Sequence, residues 1–276
     1  MQFIESQDLP FGFAFSSYGV SIEIRTNGRE LLTEIENLLP PASCFVASQK
    51  PVDFLFAVIW DDERERISEF YRDSEQQACD GDYSQSLHLI EIALRLTVAE
   101  FSPHLVFVHA GAVAFEDSAV IVPGRSRAGK TTLTAALVQD GAVYYSDEYA
   151  IFDEFGFLHP FPKPLSVREP WAFGKQIDQS VETFGGRQGT KPIKARAIVV
   201  TEYEKDARWQ PERLSRGEGV LELLANTVSA RANPRLALKI LPRAVENALI
   251  LKGKRGDAEA VSREIKKVLT KNAIFA

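Results

Sequence analysis

The stretch that decides the fold is Gly124-Arg125-Ser126-Arg127-Ala128-Gly129-Lys130-Thr131, which matches the pattern G-x-x-x-x-G-K-[ST]. An apolar, β-rich run, Ala119–Val122, precedes it, and the helical pattern of Lys130–Gln139 follows. Glycines let the backbone curl so that successive N–H groups point at phosphate oxygens, and a helix start adds the positive end of its dipole. The motif therefore predicts a phosphate-binding loop. Its expected nucleotide contacts are Gly124, Arg125, Ser126, Arg127, Ala128, Gly129, Lys130, Thr131 and Thr132.

Two carboxylates, Asp147 and Glu148, follow the next predicted strand, Ala142–Ser146. In such loops the lysine, here Lys130, neutralises the β- and γ-phosphates, while the Thr131 hydroxyl and a carboxylate at a neighbouring strand end hold Mg²⁺. We therefore expect ATP and Mg²⁺ as ligands, with Thr131, Asp147 and Glu148 as the metal-binding residues. An attacking alcohol must lose its proton, so Asp147 is also a candidate catalytic base. Beside Mg²⁺ the pKa of Asp147 is expected to stay low, so that orientation of the hydroxyl matters more than proton affinity.

The composition of the 276 residues is that of an ordinary globular protein, with 45% hydrophobic and 25% charged residues. The formal net charge of −6 argues against a general nucleic-acid binder, which usually carries a basic excess. The longest apolar stretches, such as Phe54–Trp60, are far shorter than a membrane span, and Met1–Pro10 lacks the pattern of a secretory signal. We expect a cytoplasmic protein that binds neither nucleic acid nor a membrane.

A change of pattern near residue 102 predicts two domains: a small α+β accessory or substrate-recognition domain over residues 1–102 and a catalytic domain over 103–276. In the first domain Asp61–Asp82, with nine acidic and three basic residues, is expected to be a solvated linker. The other elements expected there are strands over Gly12–Ser16, Val20–Arg25 and Val52–Trp60 and helices over Arg29–Leu39 and Ser84–Phe101.

The second domain is expected to begin with a β-hairpin, Leu105–Phe115 and Ala119–Val122, whose second strand leads into the glycine loop. That antiparallel partner sets the arrangement apart from common P-loop ATPases. No regular structure is expected over Pro160–Pro170. The remaining expected elements are a hairpin at Tyr149–Phe152 and Phe157–Leu158, a strand at Ile193–Tyr203, and helices at Gly217–Arg231, Pro234–Leu251 and Asp257–Lys271.

Three segments, His109-Ala-Gly-Ala-Val, Pro-Gly-Arg-Ser-Arg-Ala-Gly-Lys-Thr-Thr and Tyr-Ser-Asp147-Glu148, resemble in order and spacing the catalytic domain of HPr kinase/phosphorylase and its relatives. The resemblance is clear over residues 104–170. It implies an α/β fold with a mixed β-sheet, a P-loop kinase domain of the HPr kinase and phosphoenolpyruvate carboxykinase type. Asp147 matches that family's catalytic aspartate, Glu148 stands where the family usually has a second Asp, and His109 matches a histidine close to the transferred phosphate.

The sequence departs from that family in the loop and downstream of it. Arg125 and Arg127 stand where the family's loop is smaller and richer in glycine, and they either contact phosphate or reach solvent. The family's Ile-Arg-Gly signature is not recognisable; Pro164–Pro170 stands in its place, with Arg168 as a candidate contact to the γ-phosphate or the substrate. These departures argue against HPr as substrate and favour the divergent relatives that phosphorylate free serine or a serine in a precursor peptide. Hexameric relatives also raise the expectation of a homo-oligomer.

A basic segment, Lys163–Arg196, has seven basic and three acidic residues. It either lines a path for an anionic substrate or is a solvated surface. Within it, Gly185–Gly189 has the composition of a lid that closes over nucleotide. Trp171 and Phe173 either fill the core or form part of an acceptor pocket.

The function expected from these residues is an ATP-dependent kinase that transfers the γ-phosphate to a serine-type hydroxyl of a peptide or small molecule. Its expected catalytic residues are Asp147, His109, Lys130 and Arg168. Two alternatives stay open: a nucleotide-binding regulatory module that transfers nothing, and a true HPr serine kinase/phosphorylase. A decarboxylating carboxykinase is disfavoured, because the chain is short and its four histidines leave little for a transition-metal site.

Overall fold

Residues 11–26 form a β-hairpin, as the sequence predicts. In the computed structural model, which describes residues 9–47, 51–79, 82–124, 128–168 and 176–273, strand β1 (Phe11–Ser17) pairs antiparallel with β2 (Val20–Thr26). Gly19 makes the turn at a φ of +85°, which glycine adopts at no steric cost because it has no Cβ. The hairpin belongs to the N-terminal unit, Met1–Pro103; the second compact unit is His104–Ala276.

The N-terminal unit is built on a six-stranded mixed sheet. Its further elements are α1 (Leu31–Glu36), β3 (Cys44–Val46), β4 (Phe54–Asp61), β5 (Arg66–Arg72), β6 (Glu75–Gln76) and α2 (Tyr83–Phe101). The strand order is β3-β1-β2-β4-β5-β6, in which β2 and β4 run parallel and the other neighbours run antiparallel. Helix α2 buries Ile90, Leu94 and Val98, the stripe from which the sequence predicts this helix.

One prediction for this unit is wrong, and a second gives a helix that is too long. Asp61–Asp82 is not a linker, because β5 and β6 lie within it. Strand β5 places Ile67 and Phe70 in the core, each 1% exposed, and pairs with β4, so the charges around them belong to a half-buried sheet. Helix α1 is shorter than the predicted Arg29–Leu39, because the residues after Glu36 continue only as tight turns.

The C-terminal unit is built on an eight-stranded mixed sheet. Its elements are β7 (Val106–Phe115), β8 (Ser118–Pro123), α3 (Lys130–Gln139), β9 (Val143–Ser146), β10 (Tyr149–Phe152), β11 (Phe157–His159), β12 (Leu165–Arg168), β13 (Gln176–Gln179), β14 (Ile193–Tyr203), β15 (Glu212–Arg213), α4 (Arg216–Leu224), α5 (Pro234–Ala244), β16 (Leu249–Arg255) and α6 (Ala258–Ala273). The sheet order is β11-β10-β7-β8-β14-β16-β15, with β9 also paired to β7, while β12 and β13 form a separate ribbon. No helix in the described part of the chain is long and apolar enough to cross a membrane.

Strand β7 is where the segments that carry the predicted site converge. Its first half pairs antiparallel with β10, and its second half pairs with β8 and β9. The link between β9 and β10 therefore lies against the middle of β7, next to the end of β8 that enters the glycine loop. Strands β14 and β16 run parallel to β8, so the carboxyl ends of all three meet at one edge of the sheet. Open sheets with parallel strands bind ligands at such an edge.

Local patterns predict several elements of this unit correctly. The predicted helix Lys130–Gln139 and strand Ile193–Tyr203 are confirmed with the same bounds. The prediction that Pro160–Pro170 has no regular structure is wrong, since β12 lies within it. Pro164 precedes the residues that pair with β13, so its missing N–H interrupts no hydrogen bond of that ribbon.

The predicted C-terminal helices are partly wrong. The helix predicted over Pro234–Leu251 ends at Ala244, and its last residues belong to β16. This strand pairs in parallel with β14 along its whole length, a partner that local periodicity does not reveal. The helix predicted over Gly217–Arg231 ends at Leu224, and a short 3-10 turn, Val228–Ala230, follows.

Candidate active site

Gly129 turns the chain from the glycine loop into α3. It adopts a left-handed conformation with a φ of +77° at the N-cap of the helix, which favours glycine. The next residue, Lys130, is only 7% exposed. At the other end of the loop the N–H of Gly124 donates to the carbonyl of His109 (3.3 Å), which ties the loop to β7. Three predicted loop residues lie outside the described part of the chain: Arg125, Ser126 and Arg127.

A hydrogen bond joins Thr131 to Asp147. The Thr131 hydroxyl, in the first turn of α3, donates to Oδ2 of Asp147 at 2.7 Å. Asp147 lies in the two-residue link between β9 and β10. Ser146 holds that link, because its Oγ accepts hydrogen bonds from the N–H groups of Glu148 (3.0 Å) and Tyr149 (2.9 Å). Two separate segments thus place a hydroxyl against a carboxylate whose backbone is fixed.

Burial controls the charge of Asp147, which is 9% exposed. Burial raises the pKa of Asp147 from 3.8 to about 7, because the carboxylate loses its hydration. The hydrogen bond from Thr131 and the charge of Lys130 oppose this effect. The low pKa expected from the sequence presupposed a neighbouring Mg²⁺, whereas the polypeptide alone raises it.

The second carboxylate oxygen, Oδ1 of Asp147, is suited to a further partner. It is buried and accepts no hydrogen bond within the described residues. A Cβ at Gly111 on β7 would stand 3.9 Å from this oxygen and 2.3 Å from Oγ1 of Thr134, so glycine is needed for the close approach of α3 to β7. No group of three or more His, Cys, Asp or Glu side chains able to hold a metal occurs in the described ranges. Mg²⁺, however, takes one or two carboxylates and completes its shell with water and substrate phosphates, so Thr131 and Asp147 fit a Mg²⁺–nucleotide.

Lys163 is a residue of the site that sequence reasoning missed. Its Nζ lies 3.8 Å from Oε2 of Glu148 and 3.9 Å from Oδ2 of Asp178, and its charge acts to lower the pKa of Asp147. Burial lowers the pKa of Lys130, and the charges of Asp147 and Glu148 oppose that shift. The two carboxylates are thus close to two lysines from different segments. The only sequence signal for Lys163 is the local excess of basic residues.

His109 is held on β7 by its backbone. Its N–H donates to the carbonyl of Asn226 (2.8 Å), and it stands opposite Tyr149 of β10. Burial, with a smaller contribution from the charge of Lys130, lowers the pKa of His109 to about 4. The imidazole is therefore neutral at neutral pH. It can donate one hydrogen bond and accept another, but it brings no positive charge to a phosphate.

A cleft of about 750 Å³ opens beside the loop at the carboxyl ends of β14 and β16. Its lining includes Gly129, Thr132, Tyr203 and Arg255. Arg255 is 1% exposed; its Nη2 donates to the carbonyl of Gly129 (2.6 Å), and its guanidinium carbon lies 5.9 Å from the centre of the Tyr203 ring. Arg255 therefore fixes the peptide at which α3 begins. Sequence reasoning missed it, because it predicted no strand at residues 249–255.

The remaining predicted site residues are only partly described. Thr132 is exposed and lines the cleft beside Gly129. The backbone of Arg168 belongs to β12, but its side chain lies outside the described part of the chain. Trp171 and Phe173 also lie outside it. The roles predicted for these three residues stay predictions.

The predicted lid, Gly185–Gly189, is anchored on β9. The N–H of Gly189 donates to the carbonyl of Tyr144 (2.7 Å), and the N–H of Tyr144 donates to the carbonyl of Arg187 (2.8 Å). The ammonium of Lys194, from the same basic segment, lies 4.2 Å from the centre of the Phe157 ring rather than near the loop. Three further cations of the segment are exposed: Arg187, Lys191 and Arg196.

Comparisons with known proteins give a weak structural likeness. No protein-family model matches the chain, and no curated protein matches it. Among solved structures, the HPr(Ser) kinase/phosphatase from Coxiella burnetii aligns with 61% of this chain and 96% of its own, at 13% sequence identity and a TM-score of 0.35. A TM-score of that size establishes neither a shared fold nor a shared activity, so any assignment of function has to rest on the residues of the site.

Proposed function

We propose that the protein is an ATP-dependent kinase that transfers the γ-phosphate to a serine-type hydroxyl of a peptide or small molecule. The observation that carries the proposal is the 2.7 Å hydrogen bond between Thr131 and Asp147. It joins the first helical turn after a glycine loop to a buried carboxylate. Phosphoryl transfer needs these two elements together, one at the donor phosphates and one at the acceptor hydroxyl.

On the donor side, the N–H groups at the start of α3 and the ammonium of Lys130 bind phosphate oxygens and offset their charge. The cleft beside Gly129 and Thr132 has room for the nucleoside, with Tyr203 in its wall. Thr131 with Asp147 or Glu148 would hold Mg²⁺, which supplies further neutralisation of the phosphate charge.

On the acceptor side, Asp147 orients the hydroxyl and takes its proton. The acceptor oxygen forms a bond to the γ-phosphorus, and the bond from that phosphorus to the β–γ bridging oxygen breaks, so that ADP leaves with the electron pair. The hydroxyl proton passes to the carboxylate of Asp147. Beside Mg²⁺ the pKa of Asp147 is expected below the value of about 7 that burial gives it in the polypeptide alone, so orientation of the hydroxyl matters more than proton affinity. Neutral His109 assists as a hydrogen-bonding group beside the loop.

The test is transfer of label from γ-labelled ATP, with Mg²⁺, to free serine, serine-containing peptides and HPr. We expect label in one acceptor class. Asp147→Asn should bind ATP but lower transfer by about 10²- to 10⁴-fold, the range for loss of a general base. Lys130→Met should lose both binding and transfer. Glu154→Gln removes an exposed carboxylate of the same unit and should leave both unchanged.

The outcomes distinguish the proposed kinase from the two alternative functions. Full transfer by Asp147→Asn to an identified acceptor would contradict the assigned mechanism. Tight ATP binding without transfer to any acceptor would favour a nucleotide-binding regulatory module. Label in HPr, rather than in serine or peptides, would identify an HPr serine kinase.

A further inference from the structure

A second cleft, of about 940 Å³, lies where β8, β14 and β16 begin. The glycine loop, in contrast, follows the carboxyl end of β8. Ser118 lines the cleft and Pro123 precedes the loop, so the length of β8, with a rise of about 3.3 Å per residue, separates them by about 17 Å. The cleft is therefore distinct from the candidate active site.

Three arginines from three different elements converge on this cleft: Arg196 of β14, Arg213 of β15 and Arg216 of α4. All three side chains are exposed, and none of them forms an ion pair with a described residue. Among the described residues that line the cleft, Glu246 is the only carboxylate. The cleft thus carries an excess of positive charge in a chain whose formal net charge is −6.

A β-bulge places Arg196 at the cleft. Strand β14 pairs in parallel with β8 through Ala195 and then Ala197, which leaves Arg196 as the extra residue. The bulge changes which residues of the strand face each side of the sheet. Ala195 packs with Ile198 in one apolar cluster, whereas Ala197 packs with Val199 in the other. Bulges are rare in parallel pairs and re-aim a side chain. Here the re-aimed side chain is a guanidinium.

Arg216 is placed against its own helix dipole. It is the first residue of α4, directly after the N-cap Ser215, where a cation faces the positive end of the helix. Glu218 of the same turn, which closes a capping box with Ser215, offsets part of this repulsion, and an anion in the cleft would offset more of it. The cleft also has apolar surface, since Leu249 and Leu269 are half-buried in its wall.

We propose that this arginine cleft binds a small molecule that carries a phosphate or carboxylate group on an apolar body. Guanidinium groups bind both anions through paired hydrogen bonds. The volume is that of small-molecule sites, which combine apolar walls with a few polar groups. The proposal does not depend on the kinase assignment, because its residues lie outside the candidate active site.

The test uses the full chain carrying Lys130→Met, which removes the phosphate-binding lysine of the glycine loop. Calorimetric titration measures the affinity for butyl phosphate, pentanoate, inorganic phosphate and butanol. We expect saturable binding of butyl phosphate or pentanoate, with higher affinity than that of inorganic phosphate or butanol. Whichever of butyl phosphate and pentanoate binds more tightly identifies the anionic group that the cleft prefers. No saturable binding of either amphiphile would overturn the proposal.

Variants locate the binding. The pair Arg213→Gln and Arg216→Gln should weaken binding by about tenfold or more, since each removes charge-assisted hydrogen bonds. The matched pair Arg231→Gln and Arg235→Gln, exposed in the same unit outside the cleft, should bind as before. If the first pair does not fold, as judged by circular dichroism, the pair Arg213→Lys and Arg216→Lys replaces it, and loss of the bidentate geometry should still weaken binding. Equal affinity in the cleft variants and the control pair would refute the proposed location.

Discussion

Replacing Asp147 with asparagine should remove a pH dependence that the buried carboxyl imposes on stability. Between 3.8, the pKa in the unfolded chain, and about 7, the pKa of Asp147 in the fold, the folded protein holds a proton that the unfolded chain has released. The free energy of unfolding therefore falls as the pH rises through this range. From about pH 5 to about pH 8 the loss amounts to about 2.6 kcal/mol, at about 1.4 kcal/mol per pH unit below the folded pKa. Asparagine can accept the same hydrogen bond from Thr131 and has no proton to release.

The assay is urea unfolding of wild type and Asp147→Asn in a buffer that contains a chelator. Other titrating groups are common to both proteins, so the difference in the free energy of unfolding, wild type minus variant, isolates Asp147. We expect that difference to fall by the stated amount between the two pH values. Glu154→Gln should follow wild type at every pH. A difference that stays constant, or that grows with pH, would refute the argument that burial dominates the pKa of Asp147.

Three further predictions concern the surroundings of the carboxylate. Arg255→Met should lower the free energy of unfolding by about 2 kcal/mol, because the Gly129 carbonyl loses a charged donor, and thermal unfolding should show that Arg255→Lys does not restore it. Gly111→Ala should cost about 1–3 kcal/mol, since its Cβ would stand 2.3 Å from Oγ1 of Thr134, and adding Thr134→Ala should recover most of the loss in the same assay. His109→Asn should remove a loss of stability at low pH. Because the pKa of His109 is about 4 in the fold and 6.5 in the unfolded chain, the free energy of unfolding of wild type should fall by about 2 kcal/mol from about pH 8 to about pH 5. Urea unfolding of both proteins at the two pH values measures this difference.

The parts of the fold that the sequence predicts well are those that local chemistry decides. Gly129 needs a positive φ at the start of α3, and the apolar residues on both sides of it define a strand and a helix, so Lys130–Gln139 is predicted to the residue. The hairpin of β7 and β8 follows from two β-rich runs around a polar turn. The meeting of Thr131 with Asp147 also follows from the order of elements, because the strand after α3 returns to pair with β7.

The parts that it misses depend on distant partners. Leu249–Leu251 has helical spacing with the preceding leucines, yet it belongs to β16, every residue of which pairs in parallel with β14. Arg255, at the end of that strand, reaches Gly129 only through this pairing. In the N-terminal unit, Ile67 and Phe70 lie in an acidic segment whose composition predicts a solvated linker. They are buried because this segment pairs with β4, a partner that the local composition does not reveal.

The motif alone does not predict the net charge of the candidate site. In the described part of the site, three basic residues, Lys130, Lys163 and Arg255, are balanced by three acidic ones, Asp147, Glu148 and Asp178, once Asp147 is ionised. His109 adds nothing, because burial lowers its pKa to about 4. The net charge of the described side chains at the site is therefore close to zero, whereas the motif alone predicts a positively charged site.

The low net charge of the described site bears on the role of the two arginines in the glycine loop. A triphosphate brings several negative charges, and the proposed kinase must offset them with Mg²⁺, with the positive end of α3 and with cations outside the described residues. The loop carries two such cations in its sequence, Arg125 and Arg127, at positions where the family it resembles has smaller residues. Because the imidazole of His109 is neutral, the proposed kinase predicts phosphate contact rather than solvent exposure for these two arginines, which lie outside the described part of the chain.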